Sequence, residues 1–276
     1  MLRTTEPSRL PGAMQADGPR TFWAAVRWSY AQASGFAAAY PLIFLIPAAV
    51  EMLQHAAEIH IGFYDSPEQM QATSESFARM SVAHLKVLAL YSFSYFVPRF
   101  IGMRADHAAV YRRDPEAIRL FSIVVLWNVF WAIIELDGPP TLRALGLLSQ
   151  SVTYGMLFLQ LALALFGLGL SAWAVAAALG NPKIGFLRSL AITSGSWIWA
   201  FGLMITVLLP PMVLHYLCAG LVLGRPHWVV WLAMTADAPL SAYLGALFAT
   251  IAYAIALRVM TRNRLPMLSI SMDSSA

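Results

Sequence analysis

An uncharged apolar run occupies residues 144–180, with the sequence ALGLLSQSVTYGMLFLQLALALFGLGLSAWAVAAALG. Its length of about 37 residues exceeds the roughly 20 that one upright helix needs to cross a bilayer, yet two spans and a loop would need more. We therefore predict one long tilted membrane helix here. Gly167 and Gly169 mark the place where this helix either breaks or packs closely against a neighbour.

The rest of the chain has the same apolar character. Of its 276 residues, 59% are hydrophobic and 12% are charged, whereas soluble globular domains carry about 25% charged residues. Such a chain has too few polar side chains to cover a water-facing surface, so we expect the lipid bilayer to solvate most of its exterior. The single cysteine, Cys218, excludes an intrachain disulfide and a thiolate metal cluster.

Five more apolar segments predict membrane-spanning helices, and they lie near residues 36–54, 82–103, 118–136, 190–217 and 239–257. Together with residues 144–180 they predict an all-α fold, a polytopic bundle of about six transmembrane helices. We expect Gly138-Pro139-Pro140 to form the turn after the third span and Pro210-Pro211 to bend or end the fifth. Residues 226–236, with two tryptophans, predict a separate piece in the membrane interface.

Three segments complete the predicted domain organisation. Residues 1–19 are polar and predict a disordered amino-terminal segment, residues 20–264 form the bundle, and residues 265–276 predict a flexible tail. Residues 20–35 combine aromatic side chains with Arg20 and Arg27. They predict either an amphipathic helix lying in the membrane surface or a cytoplasmic extension of the first span, and we hold both interpretations open.

The basic residues predict the orientation of the bundle. Counted over alternate segments from the amino terminus, the 18 Lys and Arg residues divide fourteen to four. The minority side holds only Arg79, Lys86, Arg143 and Arg225. Because basic residues accumulate on the cytoplasmic side, both termini are predicted to be cytoplasmic, and an odd number of spans would destroy this alternation.

A family resemblance rests mainly on residues 173–203, WAVAAALGNPKIGFLRSLAITSGSWIWAFGL. This segment resembles one in a bacterial six-helix inner-membrane family, which is similar to the membrane domain fused to some glycerophosphodiester phosphodiesterases. The final span, PLSAYLGALFATIAYAIALRVM, and the opening YPLIFLIP are also similar. The resemblance implies a multi-pass protein of the bacterial inner membrane with a link to lipids or envelope maintenance. No soluble barrel domain follows here, so we expect no phosphodiesterase activity.

The first candidate for a site is Glu51, His55 and Glu58 in the segment EMLQHAAEIH. Their i, i+4, i+7 spacing places them on one helical face. Carboxylates and an imidazole on one face can share a proton or hold a divalent metal, but a metal needs a further ligand, for which His84 is a guess. We prefer the simpler interpretation of a solvated helix end. No metal ligand, cofactor-binding residue or catalytic residue is assigned.

Other candidates are polar side chains within the spans. Arg99, near the end of the second span, is expected to snorkel to the lipid surface, and the alternative is binding of a lipid headgroup or anionic substrate. Asn128, Gln150 and Gln160 are expected to form hydrogen bonds between helices, and the alternative is a polar lining for a substrate path.

Three acidic residues are interpreted as markers of helix ends. Glu135 and Asp137 are expected to end the third span. Asp237 lies two residues before Pro239, and we expect it to cap the sixth helix.

The missing motifs limit the functions considered. The chain contains no H-E-x-x-H, no P-loop and no G-x-S-x-G motif, and no basic stripe that would bind nucleic acid. The leading hypothesis is a non-enzymatic protein of envelope structure, assembly or interaction, with other membrane proteins as partners. The alternative is a transporter or lipid-handling protein, which a cavity lined by Asn128, Gln150 and Gln160 would favour. A third hypothesis is a membrane enzyme that uses Glu51 and His55 on a lipid.

The predicted orientation can be tested with reporter fusions in intact bacterial cells. We expect a fluorescent protein at the carboxyl terminus to fluoresce and alkaline phosphatase at the same position to be inactive, because the terminus is cytoplasmic. Fusions after Arg143 should give the opposite pair of results. Active phosphatase at the carboxyl terminus would reverse the assigned orientation.

Overall fold

A computed structural model describes residues 18–19, 21–103, 106–147 and 149–268. Helices and short connections make up these ranges, and no β-strand occurs in them. Most of the predicted disordered segment 1–19 lies outside the described residues, as does the predicted tail beyond residue 268. Within that tail, the backbone carbonyls of Pro266 and Met267 accept hydrogen bonds from the side-chain Nδ2 of Asn181.

The helices follow one another with short connections. In chain order they are α1 Phe22–Ala39, α2 Pro41–His60, α3 Pro67–Thr73, α4 Phe77–Gly102, α5 His107–Tyr111, α6 Pro115–Ala144, α7 Gln150–Gly169, α8 Ser171–Ala178, α9 Phe186–Thr193, α10 Trp197–Leu221 and α11 His227–Arg262. A 3₁₀ turn at Ser194–Ser196 joins α9 to α10.

Six of the described segments are long and apolar enough to cross a membrane, and they are α2, α4, α6, α7, the combined α9–α10 segment and α11. Large apolar side chains such as Leu42, Phe158 and Ile198 are exposed on their outer faces, where lipid is the matching solvent. The chain is therefore an all-α, multi-pass membrane bundle, and the prediction of about six transmembrane helices is confirmed.

Helix α11 lies at the centre of the bundle and contacts α1, α2, α4, α8 and α10. In the apolar 18-residue stretch of α11, 67% of the residues are buried, whereas in that of α7 only 11% are buried. Small residues allow this close packing, because a Cβ added at Gly245 would lie 2.6 Å from Leu90 Cδ2 and 2.8 Å from Phe93 Cδ2. The position of α11 brings its polar residues into contact with several other helices.

Residues 20–35 belong mainly to α1, which is a helix distinct from the first span. Helix α1 ends at Ala39, and α2 begins at Pro41, a residue favoured in the first turn of a helix. The first span therefore starts at Pro41 rather than near Phe36. Helix α1 packs against α10 and α11, and its predicted location in the membrane surface stays a prediction.

The uncharged run 144–180 is divided between two helices, so the prediction of one long tilted helix is wrong. Helix α7 ends at Gly169 and α8 begins at Ser171. The Gly169 carbonyl accepts hydrogen bonds from Ser189 Oγ at 2.7 Å and Thr193 Oγ1 at 3.3 Å. A Cβ at Gly169 would meet Leu190 and Trp197 at under 3.0 Å. Contact with α9 and α10 thus favours a break at this glycine.

Prolines do not end the helices where the sequence predicted ends. Pro139 and Pro140 lie inside α6, so the predicted turn there is wrong, and Pro210 and Pro211 lie inside α10. Helix α11 is continuous through Pro239, and the predicted separate interfacial piece at 226–236 is part of it. Proline is tolerated inside membrane helices because neighbouring groups satisfy the carbonyls that it frees.

Arg99 is 1% exposed, so the interpretation of a snorkelling side chain is wrong. Its guanidinium donates hydrogen bonds to the backbone carbonyls of Ala109, Val110, Arg112 and Ala178 at 2.9–3.2 Å. These carbonyls belong to the carboxyl-terminal ends of α5 and α8. A cation is favourable at both ends because each helix carries partial negative charge there.

Replacement of Arg99 by Met should lower the stability of the bundle strongly. Four carbonyls would lose a charged donor, and leaving a buried group unsatisfied costs about 1–3 kcal/mol. We expect a large drop in the thermal unfolding midpoint of the detergent-purified protein. Arg113→Met is the matched control, since Arg113 is exposed. Equal midpoints for the two variants would contradict the capping role of Arg99.

Candidate functional site

A buried network of ionisable side chains connects α2, α4, α10 and α11. Its members are the carboxylates Glu51, Glu58 and Asp237, the imidazoles His55 and His215, and the cations Arg79 and Lys86. Glu51, His55, Glu58 and Asp237 are each at most 4% exposed. Ionisable groups buried among membrane helices are costly, and they usually mark a functional site.

The α2 part of the network was located by the helical spacing in the sequence. Glu51, His55 and Glu58 share one buried face of α2, so the preferred interpretation of a solvated helix end is wrong. His55 is at the centre of this face. Its Nδ1 lies 3.2 Å from Glu58 Oε2, and its Nε2 lies 3.5 Å from Glu51 Oε1.

Asp237 completes the network from α11, where the sequence predicted a helix cap. Helix α11 begins earlier, at His227, so Asp237 lies inside it and is 1% exposed. Its Oδ2 lies 3.2 Å from His55 Nε2, and its Oδ1 lies 2.8 Å from His215 Nδ1. The sequence analysis did not identify His215. Its location in the apolar segment of α10 was the only available signal.

Two cations contact the carboxylates from α4. Arg79 Nε lies 2.9 Å from Glu58 Oε1, and Lys86 Nζ lies 2.8 Å from Glu51 Oε2. Three carboxylates against two cations leave one negative charge. One further positive charge is therefore needed to balance the network, supplied by a proton on an imidazole or by a bound cation.

Glu58 is fixed by three donors as well as by His55. The Tyr64 hydroxyl donates to Glu58 Oε2 at 2.6 Å, and Gln54 Nε2 and Arg79 Nε donate to Oε1 at 3.0 and 2.9 Å. Burial raises the pKa of the Tyr64 phenol, and the charge of Glu58 raises it further. Tyr64 therefore remains protonated and acts as a donor to Glu58.

His84, the guessed further ligand, is not part of the network. Its Nε2 lies 2.9 Å from Asp137 Oδ2. Asp137 and Glu135 lie inside α6, which continues to Ala144, so the prediction that they end the third span is wrong. The His84–Asp137 pair joins α4 to α6 at a more exposed position.

A cavity of about 770 Å³ lies among residues of α4, α6, α7, α8, α10 and α11, and its lining shares no residue with the charged network. Its polar and aromatic lining includes Tyr91, Trp127, Asn128, Trp131, Glu135 and Gln160. Two of the three uncharged polar candidates from the sequence thus line one cavity. Gln150 lies elsewhere, where its side-chain nitrogen donates to the Tyr154 hydroxyl at 3.0 Å.

Several polar groups of the cavity have unused hydrogen-bonding capacity. Asn128 Nδ2 donates to the Val124 carbonyl of its own helix at 2.7 Å, and Trp131 Nε1 is buried without a partner. In the described part of the chain, the side chains of Glu135 and Gln160 have neither a hydrogen-bond nor an ion-pair partner. The expected hydrogen bonds between helices are therefore not formed by Asn128, Gln150 or Gln160.

Comparisons of this chain with family models, curated proteins and solved structures found no match. The fold and the two sites therefore define the protein only as a multi-pass helical membrane protein with a buried charged network and, among its spans, a cavity of mixed apolar and polar lining. The similarity to the six-helix inner-membrane family stays a prediction.

Asp237→Asn should destabilise the protein far more than Asp137→Asn. Removing one member of a buried ionic network leaves its partners uncompensated and costs about 3–5 kcal/mol, whereas an exposed pair contributes at most about 1 kcal/mol. Thermal unfolding midpoints in detergent measure the difference. Similar small shifts for both variants would show that Asp237 does not hold His55 and His215.

Proposed function

We propose that this protein transports or otherwise handles an amphipathic, lipid-like molecule in the bacterial inner membrane. The cavity among the spans is the observation that carries this proposal. Its volume lies in the range of about 300–1,000 Å³ that is typical of small-molecule sites. The leading hypothesis from the sequence, a non-enzymatic protein of envelope structure, assembly or interaction, gives no reason for a cavity of this size with polar groups in its lining.

The lining suits a molecule that has both a polar and an apolar part. Trp127, Trp131 and Phe166 offer apolar contact, whereas the indole N–H of Trp131 and the side chains of Glu135 and Gln160 offer hydrogen bonds that the described protein groups do not use. A ligand that leaves such groups unpaired would lose affinity, so a purely apolar molecule is disfavoured. An amphipathic molecule satisfies both kinds of group.

The depth of the polar groups also supports transport or lipid handling. Asn128 lies thirteen residues into α6, about 20 Å along its axis, and Gln160 lies ten residues into α7, about 15 Å along it. Both positions are far from the ends of their helices, so we place them near the middle of the hydrocarbon layer in this proposal. A polar group crossing a bilayer meets its highest barrier there, and these amides lower it.

Access from the lipid side follows from the weak burial of α6 and α7. In the apolar 18-residue stretches of these helices, only 17% of the residues of α6 and 11% of those of α7 are buried. A lipid-like molecule can therefore approach the cavity between helices that have few packing contacts to break.

The fourteen-to-four distribution of basic residues places both termini in the cytoplasm in this proposal, and the family resemblance supports a link to lipids.

A second candidate is a role in membrane-protein assembly, which the exposed apolar side chains of α7 favour. Leu157, Phe158 and Leu161 are all more than half exposed on this helix. Another membrane protein can cover them as well as lipid does. A reproducible partner that copurifies in mild detergent and is lost with the Leu161→Trp variant would favour this candidate.

Filling the cavity should slow movement of a lipid across the membrane. Ala164 lines the cavity, and Ala164→Trp fills space that the lipid would occupy, so we expect a loss of rate of about tenfold for each 1.4 kcal/mol added to the barrier. The assay follows a fluorescent phospholipid in proteoliposomes by quenching the outer leaflet with dithionite.

Leu161→Trp is the matched control, because residue 161 is on the same helix but outside the cavity lining. Wild-type protein and Leu161→Trp should accelerate quenching equally, and Ala164→Trp and Gln160→Leu should not. Thermal unfolding midpoints establish that each variant is folded. Wild-type vesicles that match protein-free vesicles would contradict the handling of phospholipids.

A further inference from the structure

The charged network contains four side chains of the types that bind transition metals. Glu51 and His55 come from α2, His215 from α10 and Asp237 from α11. Two imidazoles and two carboxylates suit Zn²⁺ and related divalent ions. Helices from three parts of the chain converge on this set.

The distances in the set match a small tetrahedral ion. Bonds of about 2.0–2.2 Å place tetrahedral ligand atoms about 3.3–3.6 Å apart. His55 Nε2 lies 3.2 Å from Asp237 Oδ2 and 3.5 Å from Glu51 Oε1. Ligand atoms of Glu51, His215 and Asp237 lie within 4.8 Å of one another. Binding of one ion by all four requires these side chains to rotate closer together, with His55 joining the other three as the fourth ligand.

The surroundings of His55 add an independent indication. Its Nδ1 lies 3.2 Å from Glu58 Oε2, and a proton on Nδ1 leaves the lone pair of Nε2 free for a metal. Metal-binding histidines usually donate their other ring N–H to a carboxylate in this way. Tyr64, Gln54 and Arg79 hold Glu58 in position for that bond.

The charges also balance around a divalent ion. Lys86 Nζ lies 2.8 Å from Glu51 Oε2 and 3.0 Å from Oε1, so it competes with a metal for this carboxylate. The Lys86 side chain is 24% exposed and can move away. Three carboxylates are then balanced by Arg79 and one divalent ion, with both imidazoles neutral.

We propose that Glu51, His55, His215 and Asp237 form a binding site for one divalent transition-metal ion of the Zn²⁺ type. This site is separate from the cavity and does not depend on the proposed handling of an amphipathic molecule. The His215 side chain is 22% exposed and is the most accessible of the four ligands.

The test is binding of Zn²⁺ to the full-length protein, purified in detergent and stripped with a chelator. Wild-type protein should bind one tightly held ion, measured by competition with a chromogenic chelator and by elemental analysis. His215→Ala should weaken binding by more than the roughly 10–100-fold that loss of an outer partner costs, and Glu58→Gln by about that factor. Lys86→Met should bind Zn²⁺ more tightly than wild type, because its competing cation is gone.

His84→Ala is the matched control, since His84 pairs with Asp137 outside the set, and its affinity should equal that of wild type. Co²⁺ bound to wild-type protein should show the visible absorption of a tetrahedral site, a result that needs no variant to fold. His215→Asn replaces His215→Ala if the latter unfolds. Absence of a tight ion in wild type, or equal affinity of wild type and both His215 variants, would overturn the proposal.

Discussion

Asp237 brings a negative charge into the most buried of the described membrane-spanning helices, and the arrangement of the neighbouring helices must compensate it. An isolated carboxylate in this low-dielectric interior would cost several kcal/mol. Here His55 from α2 and His215 from α10 contact its two oxygens. The positions of α2 and α10 around α11 are therefore constrained by electrostatics as well as by apolar packing.

The same requirement extends outward from Asp237 through the rest of the network. His55 also contacts Glu51 and Glu58. These two carboxylates form ion pairs with Lys86 and Arg79 of α4. Hydrophobic contact distinguishes poorly between helices in lipid, because lipid tails are as apolar as the side chains. Specific polar contacts thus help to determine which helices are neighbours.

Helix α10 contributes side chains to both functional regions of the molecule. His215 contacts Asp237 in the charged network, whereas Met212 and Tyr216 line the cavity. The cavity is bordered as well by α6 and α7, the two spans with the least or nearly the least buried apolar stretches.

Much of the fold and part of the candidate site were predictable from local sequence. The spans follow from apolar runs that can satisfy their backbone hydrogen bonds in lipid only as helices. The shared face of Glu51, His55 and Glu58 follows from the helical period, which depends on spacing within one segment. Boundaries were less predictable, since the helix break at Gly169 depends on contacts with α9 and α10, which come later in the chain.

The sequence by itself determined that lipid surrounds most of this protein, how many spans it has and which polar residues share a face of α2. Each of these properties depends on composition or local periodicity. Only the tertiary structure decided that Asp237 and His215 meet His55, that Arg99 caps two helix ends, and that Asn128 and Gln160 line one cavity. These contacts join residues distant in sequence. They depend on the register between packed helices, which close contacts such as that of Gly245 with Leu90 determine.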